Sequence, residues 1–344
     1  MISKKFRAAV LTNIHSKLEL KKVEFASGLE KGQVLVKLKY SGICGKQIDE
    51  INGIGGRDKY LPHLLGHEGS GTIISIGPKV KKIKKGDKVI LHWIKGKGIQ
   101  SGTPKYYSDK KKINAGWVTT FNEYAVVSEN RVTKIPYNYS MKKAALFGCC
   151  ATTSLSLVYK KMKLKNNDSL LIVGCGGLGQ IIIQAVKNFN IKKIIAADIN
   201  KKALQQAKKN GADQTIDFSR FGWNYLRKNI FYNKVVITAG SLEAIENSMK
   251  YLSMPGKCFV MGVPRKNKKI KINAWNLMHD QMIKGSLGGG ATPDKDIPKF
   301  IKLDMKKKIN LNTIIAKVIK FEDINKGIEL FKSKNFTGRI LIKF

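Results

Sequence analysis

The stretch SLLIVGCGGLGQIIIQAVKNF, residues 169–189, constrains the fold more than any other. An apolar strand-like run leads into Gly174-Cys175-Gly176-Gly177-Leu178-Gly179, and apolar residues at helical spacing follow. Strand, glycine turn and helix in immediate succession open a doubly wound parallel sheet. Gly174 permits the tight turn, Gly176 lets the backbone approach a pyrophosphate, and Gly179 lets the helix pack on the strand, with Gly177 and Leu178 completing the loop. The helix N-terminus offers free N–H groups and a positive dipole end to phosphates. Asp198 ends the next strand, KKIIAAD. A carboxylate there accepts both ribose hydroxyls of NAD and repels the extra phosphate of NADP. The glycine pattern alone is a weak signal. With strand, helix and acid in place, it predicts an NAD site.

The same alternation continues along the chain. SLLIV precedes a helix expected to Phe189, KIIAA one to Asn210, and VVITA one to Leu252; KCFVMG and MIKGSL then read as strands. Residues before about 150 read differently. FRAAVLT, LELKKVEF, QVLVKLKY, GTIISIG, KVILHW and NEYAVV alternate in the strand manner, punctuated by Gly, Pro, Asn and Lys. The chain is therefore expected to be α/β, with a mainly β domain over 1–150 and a parallel-sheet domain over 151–291. Beyond residue 292, PDKDIPKFIKLDMKKK reads as a helix, and AKVIKF and GRILIKF as strands that return to the first domain.

Composition excludes some functions. No run of about 18 apolar residues occurs, so no membrane-spanning helix is expected. The start lacks an apolar stretch with a cleavage site, and the five cysteines are odd in number and scattered. Both features point to a reducing cytoplasm. The formal charge of +40 raises nucleic acid as a partner. The lysines, however, run the whole length, with short clusters such as 81–85 and 266–271, and no nucleic-acid motif accompanies them. That pattern reads as a solvated surface, which also helps to capture anionic small molecules.

Three further segments carry metal-type residues. SGICGKQIDE holds Cys44 between two glycines, LPHLLGHEGSG holds His67 and Glu68, and LFGCCATTSLS holds Cys149 and Cys150. His63 lies four residues before His67, but Pro62 and Gly66 argue against a helix presenting both. Cys44, His67 and one of the paired cysteines make a Cys2His set. Three protein ligands leave zinc an open position, the mark of a catalytic rather than a structural site. Cys175 and Cys258 lack metal-type spacing and read as core.

Taken in order, GICG, GHEGSG, GDKV at 86–89, the glycine loop, AADIN and the closing GRILIKF resemble the zinc-containing medium-chain dehydrogenases, which include alcohol and polyol dehydrogenases. The likeness runs over essentially the whole chain. It implies a GroES-like catalytic domain beside a Rossmann NAD-binding domain. The family's third zinc ligand is followed four residues on by a threonine bordering the nicotinamide. Cys149 with Thr153 fits, so the resemblance implies Cys149 as ligand. Arg339 matches an arginine that contacts the pyrophosphate, and Glu68 an acid beside the zinc that helps ligand exchange. The reaction implied is reversible hydride transfer between NAD and a secondary alcohol or ketone, with zinc as Lewis acid. Relatives are commonly dimers or tetramers, so a homo-oligomer is expected.

The chain also departs from this family. Many members carry four closely spaced cysteines around a structural zinc. Residues 92–120 contain none, so one zinc per chain is expected, with the lobe held by other contacts. Two residues after the first ligand, a Ser or Thr usually relays the substrate proton; here stands Lys46. It reads as a general base, as a binder of an anionic substrate group, or as an outward surface lysine. The next position, usually Asp, orients the zinc-bound histidine; here Gln47 is expected to accept from His67 through its side-chain oxygen. Trp93, Tyr106, Tyr107 and Trp117 lie in the replaced lobe, where they could stack on a sugar. A polyol, sugar or sugar derivative is the expected substrate, with an anionic one suiting Lys46 and the charge. Two other readings compete: a zinc-free NAD(P)H reductase of the same fold, and a basic nucleic-acid-binding protein on this fold. The complete Cys44–His67–Cys149 set opposes the first, and the intact glycine loop with Asp198 the second.

Overall fold

The computed structural model of the chain describes residues 5–25, 28–223, 226, 230–264 and 267–344. The first four residues and Lys266 of the 266–271 lysine cluster lie outside the described residues.

A six-stranded parallel sheet runs in the order Gln214–Asp217, Lys193–Asp198, Ser169–Val173, Tyr232–Ile237, Leu252–Val260, Gln281–Gly285. Its strands are nearly continuous apolar runs because both faces are covered. Leu170 and Ile172 enter one core, and Leu171 and Val173 enter another on the opposite face. The strand order reverses at Ser169–Val173, which is flanked by the second and fourth strands of the unit. In such sheets the ligand crevice lies beyond the carboxyl ends at this reversal. The glycine loop begins there.

The rest of the molecule is largely antiparallel. Gln33–Ile43 is its axis, pairing with Glu68–Ile76 on one side and with Tyr124–Ser128 and Arg339–Lys343 on the other. Lys88–His92 and Val132–Lys134 extend the first side, and Ile315–Lys320 extends the second. A smaller sheet orders His63–Leu64, Lys5–Leu11, Glu19–Phe25, Tyr106–Ser108 and Lys111–Ile113. The closing strand thus pairs with the third strand of the chain, in a register that sets Ile340 opposite Ile43. Arg339 is thereby brought level with Cys44.

Several elements differ from their sequence signals. The first helix of the parallel unit ends at Val186 rather than Phe189, and the helix expected to reach Leu252 is Leu242–Lys250. Leu252 instead starts the next strand. SGICGKQIDE is more than a turn: Cys44 caps a Gly45–Ile51 helix. Two glycines and a polar run conceal a helix there, and its two isoleucines, Ile48 and Ile51, reach the core. The Cys150–Ser156 helix passes into a π-helical turn, Leu157–Met162, which Lys163 ends in the left-handed region.

Candidate active site

The Gly45–Ile51 helix, the turn before Glu68–Ile76 and the start of the Cys150–Ser156 helix converge. They bring a ligand atom from each of Cys44, His67 and Cys149 within 4.8 Å of the others. Two sulfurs and an imidazole at that spread suit a borderline-soft ion such as zinc, and they supply three ligands of the four it favours. The sulfurs of Cys44 and Cys149 face each other. The Cys149 thiol holds the Cys44 pKa well below its ordinary value, and Cys44 pushes that of Cys149 well above. Cys150 points elsewhere: its thiol donates to the Leu146 carbonyl, and burial pushes its pKa up to about 12. His63 bonds Asp58 at 2.9 Å and the Leu64 carbonyl at 3.0 Å.

Glu68 is fully buried behind the cluster. Its Oε1 lies 3.2 Å from Nε of Arg339, and its Oε2 accepts the Cys150 N–H at 3.3 Å. Burial raises the Glu68 pKa, which the guanidinium opposes. Nη2 of Arg339 reaches the Cys44 sulfur at 3.6 Å. The stem of the same arginine lies against the glycine loop, its Cγ 3.5 Å from where a Cβ on Gly177 would stand. Arg339 therefore joins the metal-type cluster to the dinucleotide loop.

Gln47 differs from its expected geometry. Its side-chain oxygen accepts the Cys44 N–H at 3.0 Å, and its amide nitrogen lies 2.6 Å from Nδ1 of His67. Gln47 occupies the third helical position, where a glutamine reaches back to the capping residue. The helix start thus claims the oxygen that was expected to face His67. Lys46 is half exposed, with its amine 4.0 Å from Glu50. Thr153 is buried, and its hydroxyl has no partner among the described residues.

The loop is shaped for a close backbone approach. Gly174 has φ +97°, and a Cβ on Gly179 would stand 2.2 Å from the Gly174 carbonyl oxygen. Above Gly176 the space is open. Asp198 accepts the Cys175 N–H at 2.5 Å and the Asn200 N–H at 2.8 Å, which fixes the carboxylate beside the loop. Leu178 is half-buried against the core, in the first turn of the helix.

Of the lobe aromatics, Tyr106 is fully buried, and its oxygen accepts the Val126 N–H at 2.8 Å, so it cannot stack on a ligand. Trp117 is half exposed. Sequence reading passed over Arg131, which sits beside Trp93 and Trp117. Its signal was present: the chain holds seven arginines against 57 lysines, so each arginine is an exception to the bias.

Comparison with known proteins agrees with this geometry. The model of the alcohol dehydrogenase GroES-like domain matches residues 30–137, and that of the zinc-binding dehydrogenases matches 177–305. An S-(hydroxymethyl)glutathione dehydrogenase of Escherichia coli is 25% identical, over 95% of this chain and 96% of its own. The crystal structure of benzyl alcohol dehydrogenase from Acinetobacter calcoaceticus superposes with a TM-score of 0.87 at 25% identity, covering 99% of each chain. An Escherichia coli CFT073 alcohol dehydrogenase complexed with NADH superposes at 0.81 with 22% identity, over 99% of this chain and 100% of that one. The chain belongs to the zinc-type medium-chain alcohol dehydrogenase family, with a GroES-like and a Rossmann-type domain. It is an oxidoreductase.

Proposed function

We propose that the protein is a zinc- and NAD-dependent dehydrogenase that interconverts a secondary alcohol and a ketone on a polyol, sugar or sugar derivative. The observation that carries this reading is Arg339, which touches both the Cys44–His67–Cys149 cluster and the Gly177 loop. One cleft then serves both cofactors. Zinc held by Cys44, His67 and Cys149 supplies Lewis acidity, and NAD on the Gly174–Gly179 loop supplies the hydride acceptor. Glu68 and Arg339 hold the cluster's charge, Gln47 orients His67, and Thr153 offers its free hydroxyl to the nicotinamide. The anchored Asp198 favours NAD over NADP. The NADH complex of the Escherichia coli neighbour supports this cofactor.

Lys46 carries three readings, and its half-exposed pairing with Glu50 favours contact with substrate over a buried general base. The lobe without cysteines supports one zinc per chain. Residues 1–150 completed by 292–344 form the proposed catalytic domain, and 151–291 the NAD domain; the pairing of Arg339–Lys343 with Gln33–Ile43 supports this division. A homo-oligomer is proposed through the free edge strand Gln281–Gly285. Met282 on that strand and the neighbouring Trp275 and Met278 leave apolar surface exposed there. The five free cysteines suit the cytoplasm, and no helix among the described residues is long and apolar enough to cross a membrane.

Metal analysis of two variants tests the ligand set. Cys149→Ala is expected to lose most bound zinc, and Cys150→Ala to keep about one per chain. The reverse pattern would overturn the assignment.

A further inference from the structure

Arg131 ends a short 3-10 turn, Glu129–Arg131, and is buried at 9% exposure. Among the described residues, none of its contacts is to a carboxylate. Nη1 donates to the Trp93 carbonyl, and Nε and Nη2 share the side-chain oxygen of Gln100 at 3.3 and 3.0 Å. Its Cζ lies 5.8 Å from the centroid of the Trp117 ring. Two other arginines of this chain are neutralised, Arg339 by Glu68 and Arg7 by Glu123 and Glu322. A buried charge without a counter-charge is costly to hold away from water. Burial pushes the Arg131 pKa down, and no acidic neighbour offsets it. A second donor is also unused: Nε1 of Trp93 is buried without an acceptor.

Neighbouring contacts tie these groups to the site already described. Trp93 follows His92, which stands opposite Glu68 in the antiparallel pair. The far edge of the Trp93 indole, Cη2, lies 3.4 Å from where a Cβ on Gly288 would stand. On the next glycine, Gly289, a Cβ would fall 2.1 Å from the Thr153 carbonyl oxygen. Trp117 lies three residues before Thr120, whose hydroxyl donates to the Glu68 carbonyl at 3.3 Å. Arg131 thus contacts both tryptophans, of which Trp93 reaches toward the Thr153 turn and Trp117 stands on the segment that leads to Thr120. Trp117, half exposed, marks the side open to solvent.

We propose that Arg131, with Trp93 and Trp117, forms a subsite for an anionic substituent, a carboxylate or phosphate, on the alcohol substrate. A guanidinium matches either group with two parallel hydrogen bonds. The anion would supply the missing counter-charge. The field of a +40 chain would raise the local concentration of such a substrate. This inference rests on the dehydrogenase reading of the same cleft, whose substrate class it narrows.

Calorimetric titration of the zinc-loaded protein saturated with NADH tests it, because alcohols bind that complex without turnover. The probes are sorbitol, gluconate and sorbitol 6-phosphate. At least one acid is expected to bind about tenfold more tightly than sorbitol. Gluconate alone would assign a carboxylate, and the ester alone a phosphate. Arg131→Gln is expected to abolish the preference, and Arg131→Lys to keep part of it. Trp117→Ala, which alters a half-exposed residue, is expected to weaken it severalfold with a nearly unchanged thermal melt, so a misfolded Arg131 variant would not decide the matter. Equal affinities for all three probes in the wild type would overturn the subsite. So would an undiminished preference in folded Arg131→Gln. Failure to bind NADH would instead count against the dehydrogenase reading, and the preference would then be measured on the zinc form alone.

Discussion

Gln47 cannot do for His67 what a carboxylate does. An amide nitrogen facing Nδ1 donates to it and leaves the proton of the metal-free ring on Nε2. A carboxylate at 47 would accept from Nδ1 and free Nε2 to bind an ion. Groups that orient ligands in this way are worth about 10–100-fold in metal affinity. Gln47→Glu keeps the reach to the Cys44 N–H and is expected to raise zinc affinity about tenfold in chelator competition. Unchanged or lower affinity would contradict this geometry. His92 gives a second test. It is buried; its Nδ1–H donates to the Ile94 carbonyl, and its Nε2 accepts from the Thr133 hydroxyl. Burial pushes its pKa down to about 4. The unfolded ring, near 6.5, binds its proton first as pH falls. Stability is therefore expected to drop between about pH 6.5 and 4, by roughly 3 kcal/mol from this residue. Denaturant melts of wild type and His92→Gln check it, and the variant should show a shallower decline. At this scale Cys44, His67 and the loop glycines were legible because their chemistry fixes the residue type. Neither the choice of Cys149 over Cys150 nor the orientation of the Gln47 amide was legible from the residues alone, since both depend on where a helix starts.

The lobe over residues 92–120, which contains no cysteine, is held by carboxylates. Glu129 sits buried beneath it. Its Oε1 accepts the Ile99 N–H at 2.8 Å, and its Oε2 accepts the N–H groups of Lys81 and Lys82 at 3.2 Å each. Asp294 adds a bond from the Lys97 N–H at 2.5 Å and an ion pair with Lys82. Carboxylates thus gather the loop ends that flank the lobe. Removing Glu129 would strand three backbone donors, at a cost of roughly 3 kcal/mol or more. Glu129→Ala is expected to lower the melting temperature markedly, while wild type treated with a chelator keeps its lobe resistant to protease. A lobe that becomes protease-sensitive on chelation would point to a second metal. The sequence revealed what was missing here, but not this replacement, because Glu129 and Asp294 lie far apart in the chain. Strands were legible where alternation ran for several residues. The Gly45–Ile51 helix and the Gln214–Asp217 strand escaped because each is short, and tertiary packing rather than propensity decides such segments.

Across the whole molecule, the order of motifs carried more than any one of them. The strand–loop–helix unit fixed the parallel sheet, and the closing GRILIKF was read as returning to the first domain. The return has a chemical result, because it delivers Arg339 to Glu68 and Cys44. The charge of +40 has no motif to explain it, and its meaning depends on the substrate. The most direct test of the account is NAD⁺ reduction over a panel of polyols and sugars, each neutral compound paired with its carboxylated or phosphorylated counterpart, with and without zinc removal. The account predicts turnover that chelation abolishes and added zinc restores, favouring the anionic members. Turnover that survives complete zinc removal, or none on any secondary alcohol in the zinc-loaded protein, would contradict it.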